Sequence, residues 1–112
     1  MKDIKVKIGG YEWTVKFVDK GFINGCDGRT HCNEFVICIR EDLQPVVMRE
    51  TIVHEIVHAL LTTQGRYYQK KFDLEEVCEF VGWQLPEIYG AATSVFKAME
   101  AEQAVEKSQC ID

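Results

Sequence analysis

No apolar run in this sequence approaches the ~18–20 residues that a membrane-spanning helix needs. The opening stretch MKDIKVKIGG alternates apolar and charged residues, so it reads as neither a secretion signal nor an anchor. Positive charge is not in excess: 13 Lys and Arg against 18 Asp and Glu leave a net charge of −5. That balance argues against a protein gripping nucleic acid through its phosphates, which takes clustered basic residues. Cysteine is present five times (Cys26, Cys32, Cys38, Cys78 and Cys110), but the count is odd and no pair has CxxC spacing. The six-residue recurrence of Cys26, Cys32 and Cys38, with His31 beside it, matches no usual zinc-ligand spacing. These cysteines read as reduced thiols. Proline occurs only at Pro45 and Pro86, and no repeat or low-complexity stretch interrupts the chain. With 46% apolar and 28% charged residues, a disordered or collagen-like chain is excluded. The expectation is one soluble, cytoplasmic domain over residues 1–112, with a polar tail from about residue 100.

The patterning predicts an α+β fold. Ile4, Val6 and Ile8 alternate with Lys5 and Lys7, and Trp13, Val15 and Phe17 with Thr14 and Lys16. That is the period of two half-buried strands joined across Gly9-Gly10. Residues 19–34 hold three glycines with little periodicity and read as a long loop. FVICIR, residues 35–40, is a third strand. Pro45 suits the first turn of a helix that runs to about Thr63, with Gly65 as its stop. Asp73 caps a second helix with Glu76 in capping-box position, and Pro86 ends or kinks it near Leu85. A last helix carries Ile88, Ala92, Val95 and Met99. The expected architecture is a small antiparallel sheet, a hairpin plus one strand, packed on three helices.

The chemistry is concentrated in His54-Glu55-Ile56-Val57-His58, an HExxH sequence. Histidines four apart on a helix lie one turn above the other on the same side, so both imidazoles reach one metal ion. Taking His54 as the origin and ~100° per residue, His58 falls near 40°, Thr51 near 60°, Thr62 near 80° and Glu55 near 100°. The rest of the wheel is almost wholly apolar, so a core helix shows one narrow polar stripe, and that stripe contains the motif. Two neutral nitrogen ligands leave zinc positively charged and lower the pKa of its water toward ~7, and the adjacent Glu55 is placed to take the proton.

A catalytic zinc wants a third protein ligand. The only other histidine, His31, lies far upstream, so the acidic helix after the motif is the better source. On that helix Leu74, Val77, Cys78, Phe80, Val81 and Leu85 mark the expected buried face. Glu75 lies nearest its border, Glu76 next, and Glu79 almost opposite. Glu75 is therefore the expected ligand, with Glu76 the alternate.

HEIVHALL, a short link and EEVCEF together resemble the small zincin-like metallopeptidases of phages and mobile elements, related to the ImmA/IrrE type. The resemblance covers about residues 35–90. It implies a minimal zincin-like core in which His54, His58 and Glu75 or Glu76 hold zinc and Glu55 is the catalytic base. It also implies a protein or peptide substrate, because some relatives cleave a repressor. The resemblance extends to none of the sensor or DNA-binding segments that longer relatives add. Tyr67, Tyr68 and His31 are the expected donors to a developing oxyanion, and the strand 35–40 the expected open edge for a peptide. The alternative is a zinc-binding phage interaction protein without turnover.

Overall fold

The N-terminal alternation becomes β1 (Ile4–Ile8) and β2 (Tyr11–Val18), antiparallel, with Ile8 opposite Tyr11. Gly9 and Gly10 join them at φ 59° and 85°, both left-handed as a type I′ turn requires. The computed structural model describes residues 1–65 and 71–109.

The stretch expected to be a loop contains a strand, β3 (Gly28–His31), which doubles back antiparallel onto β4 (Val36–Arg40). The strand order is β1-β2-β4-β3, and β2 and β4 run parallel. The sheet is thus mixed and four-stranded rather than antiparallel and three-stranded. The physical reason lies in residues 19–35: parallel neighbours need a connection of about a dozen residues or more, and this segment supplies one. FVICIR is accordingly not an open edge. Ile37, Cys38 and Ile39 are buried in succession, as suits a strand flanked on both sides within the sheet. The edge on that side of the sheet is β3.

Between β3 and β4, Phe35 sits at φ 54°, an unusual conformation for a bulky residue. Its ring stacks on Tyr11 at 5.3 Å and meets Trp13 edge-on at 5.1 Å, and its carbonyl accepts the Thr14 N–H at 3.0 Å. These contacts hold a backbone strain of ~1–3 kcal/mol in place.

Two helices cover one face of the sheet. α1 (Pro45–Thr63) begins with Pro45 in its first turn and is followed by Gly65 at φ 73°, whose N–H bonds the Thr62 carbonyl. α2 (Leu74–Gln109) is a single helix. Pro86 neither ends it nor separates a third helix: a proline removes one backbone hydrogen bond, and the flanking turns carry the helix past it. The expected tail from residue 100 is also helical, as far as Gln109. Asp73 caps α2, its carboxylate accepting the Glu76 N–H at 2.8 Å.

The core joins Ile4, Val6, Ile8, Trp13, Val15, Phe17, Ile37 and Ile39 of the sheet to Met48, Ile52, Ile56, Ala59 and Leu60 of α1. From α2 it takes Ala91, Ala92, Val95 and Met99. The fully buried residues of α2 therefore begin at Ala91. In the first half Leu74 is 81% exposed, and Val77, Cys78, Val81 and Leu85 are also exposed; Phe80 alone of the expected face lies against the core. The apolar stripe runs the length of the helix, but the sheet ends short of it. Among the described residues, no helix is long and apolar enough to cross a membrane.

Candidate metal centre

α1 turns Met48, Ile52, Ile56, Ala59 and Leu60 into the core and leaves its polar stripe beside β3. His54 and His58 are exposed, one turn apart, with Nε2 atoms 3.2 Å from each other and ring centroids 4.9 Å apart. Glu55, adjacent in sequence, is only 5% exposed. Its Oε1 accepts the Thr30 hydroxyl at 2.8 Å, and its Oε2 lies 3.8 Å from His54 Nε2. The same hydroxyl lies 3.2 Å from the Glu55 backbone carbonyl. Among the described residues, His54, Glu55 and His58 form the one set of metal-ligating side chains whose ligand atoms all fall within 4.8 Å of one another.

The separation of the histidines tests whether an ion fits. Two imidazole nitrogens bound at ~2.0–2.1 Å to one tetrahedral ion lie ~3.3 Å apart. The observed 3.2 Å matches that bite. Two threonines hold the helix around the pair. The Thr51 hydroxyl donates to Val47 O at 2.8 Å, and that of Thr62 donates to His58 O at 3.0 Å and meets Cys32 Sγ at 3.1 Å.

β3 can lie so close to α1 because Gly28 has no side chain. A Cβ there would sit 2.7 Å from Thr51 Cγ2, 3.0 Å from Glu55 Cγ and 3.3 Å from the Cys38 carbonyl oxygen. Gly28 and Thr30 are the site residues that sequence reasoning missed. The available signal was a glycine in a polar stretch, which marks close backbone approach once that stretch is known to be a strand.

Two concavities flank the stripe. One of about 270 Å³ is lined by Asp27, Gly28, Glu50, Thr51, His54 and Glu55. Here Asp27 is held by Arg40 at 3.5 Å. A larger cleft, about 820 Å³, follows β3 past His31, Cys32 and Glu34 to Thr62 and Gly65. His31 is half-buried at the end of β3 and lines this cleft, outside the histidine pair.

Glu75 and Glu76 do not join the His54–Glu55–His58 group. Glu75 lines a shallow concavity on α2 with Cys78, Glu79 and Trp83. The face from which that ligand was expected is largely exposed: Leu74, Val77, Cys78 and Val81 are exposed, and Phe80 lies against the core. Tyr67 and Tyr68 lie outside the described residues. Among the described residues the cysteines form no such group either: Cys26 and Cys78 are exposed, Cys32 is half-buried, and Cys38 is buried. Burial pushes the Cys38 thiol pKa up, away from the reactive thiolate.

Comparison with protein-family models, with curated proteins and with solved structures finds no match for this chain. The functional reading therefore rests on the residues and their geometry.

Proposed function

We propose that this protein is a zinc-dependent metallopeptidase of zincin-like type, with His54 and His58 as ligands and Glu55 as general base. The observation that carries the reading is the joint geometry of the stripe: two imidazole nitrogens 3.2 Å apart, with a carboxylate oxygen 3.8 Å from one of them. Bound zinc would lower the pKa of a water toward ~7 and polarise a carbonyl. Glu55 then does what an aliphatic neighbour cannot: its Oε2 takes the proton of the attacking water and returns it to the leaving amine. Glu55 is not needed as a ligand, and Thr30 occupies its other oxygen.

The third ligand in this reading is Glu75, with Glu76 the alternate, and zinc content of Glu75→Ala and Glu76→Ala proteins decides between them. A protein or peptide substrate fits the terminal strand β3 beside the histidines, where an extended chain can add to the sheet by main-chain pairing. His31 lines the cleft along that strand and is the described candidate for contacting the substrate carbonyl. Unpaired cysteines suit a reducing compartment such as the cytoplasm.

One second reading is favoured by the make-up of the ligand-spaced group, which among the described residues is His54, Glu55 and His58 without Glu75 or Glu76: a zinc-binding interaction protein without turnover. Glu55→Gln tests the choice. Under the peptidase reading the variant keeps its zinc and loses hydrolysis of fluorescein-labelled casein. Equal casein hydrolysis by wild type and variant, or none by zinc-loaded wild type, rejects the peptidase reading.

A further inference from the structure

Glu55 poses a problem that the histidines do not solve. A carboxylate 5% exposed on a helix has several staggered rotamers, and only some aim an oxygen at the space in front of His54 and His58. The side chain needs a partner that selects one of them. We infer that Thr30 is that positioning residue: its hydroxyl binds Oε1 of Glu55 and thereby leaves Oε2 as the oxygen facing the histidine pair.

Three observations on β3 combine here. The Thr30 hydroxyl is 2.8 Å from Oε1 and 3.2 Å from the Glu55 backbone carbonyl, so it addresses both ends of the same residue. A hydroxyl has one proton, and the shorter contact to a charged oxygen takes it. Gly28, two residues earlier on the same strand face, lets the backbone approach until a Cβ would meet Glu55 Cγ at 3.0 Å. The strand therefore presses on the stem of Glu55 through Gly28 and holds its head through Thr30. Among the described residues the contact made by Oε2 is to His54 Nε2 at 3.8 Å, long enough to leave its lone pairs for a water. The base is set by the terminal strand of the sheet rather than by its own helix. This inference rests on the peptidase reading for its consequence, but the contact itself stands or falls separately.

The test uses full-length wild type, Thr30→Val, Thr30→Ala and Thr30→Ser, each measured in two ways. First, three-bond NMR couplings about χ1 and χ2 of Glu55 are read in the metal-free protein. Wild type and Thr30→Ser should show a single rotamer, and Thr30→Val and Thr30→Ala should show averaged values. Second, zinc content and hydrolysis of fluorescein-labelled casein are measured. Thr30→Val and Thr30→Ala should bind zinc like wild type, with kcat lower by about 10- to 100-fold and KM little changed, and Thr30→Ser should recover most of the loss. A Glu55 side chain that stays in one rotamer without the hydroxyl overturns the inference, as does a valine variant that turns over like wild type. Rotamers that respond to Thr30 in a wild type that does not cleave casein support the positioning and reject the peptidase reading.

Discussion

Replacing Gly28 by alanine probes the junction between strand and site. The new methyl group would lie 2.7 Å from Thr51 Cγ2, 3.0 Å from Glu55 Cγ and 3.3 Å from the Cys38 carbonyl oxygen. Carbon atoms pack at ~3.5–4.0 Å, so β3 must retreat from α1 by about 1 Å. None of the neighbours yields readily. Thr51 is β-branched and its hydroxyl is tied to Val47, Glu55 is tied to Thr30, and the Cys38 carbonyl belongs to the backbone of an interior strand. Overpacking of this kind costs ~1–3 kcal/mol, offset by ~0.4–1 kcal/mol because alanine restricts the unfolded chain. The net loss is about 1–2 kcal/mol, which lowers Tm by about 4–8 °C in a domain of this size. The same retreat stretches the 2.8 Å Thr30–Glu55 bond beyond hydrogen-bonding range. Thermal and urea unfolding measure the stability. The decisive variant is Gly28→Ala/Thr51→Ser, which removes Cγ2 but keeps the hydroxyl. It should recover at least half the loss, giving a coupling of about 0.5–1 kcal/mol in the double-mutant cycle. Additive effects of the two substitutions would refute the close-approach argument.

Two further perturbations follow from the same packing. Ile52→Ala empties a site that is wholly buried between α1 and the sheet, and should destabilise the protein by ~2–5 kcal/mol in urea unfolding; a loss below 1 kcal/mol would mean that α1 does not form the core described. The cysteines should separate by reactivity. Iodoacetamide at pH 8 should label Cys26 and Cys78 fast and Cys32 more slowly, and should reach Cys38 only on unfolding, because burial both shields that thiol and raises its pKa. Raising the pH toward the thiol range should weaken the native state, since the unfolded chain then loses the Cys38 proton before the folded one does. Labelling of Cys38 as fast as Cys26 would contradict its buried position in β4.

The hairpin and the motif helix were legible because each is long relative to its period. Ile4 to Phe17 alternate about two glycines, and Pro45 and Gly65 bracket α1 as read from the residues. β3 escaped because Gly-Arg-Thr-His has no apolar alternation; its identity comes from pairing with β4, a non-local fact. The parallel pairing of β4 left a trace in Ile37-Cys38-Ile39, a continuous apolar run of the kind that interior strands show. Along α2 the apolar stripe was visible, but periodicity does not say where a covering sheet ends. Leu74 and Val81 fall on the same helical stripe as Ala92 and Val95, yet only the latter pair is buried. The ranking of Glu75 before Glu76 rests on distance from that face, most of which is exposed. His54, Glu55 and His58 needed no tertiary information, since one helix turn brings them together. Thr30 and Gly28 needed all of it.

The measurement that bears most directly on the central claim is zinc per chain, by elemental analysis, for wild type, His54→Ala, His58→Ala and Glu55→Gln purified without added metal. About one zinc in wild type and in Glu55→Gln, and none in either histidine variant, is the expected result. A wild type that carries no zinc and takes up none when zinc is supplied would reduce the 3.2 Å contact to a hydrogen bond between two histidines and contradict the account.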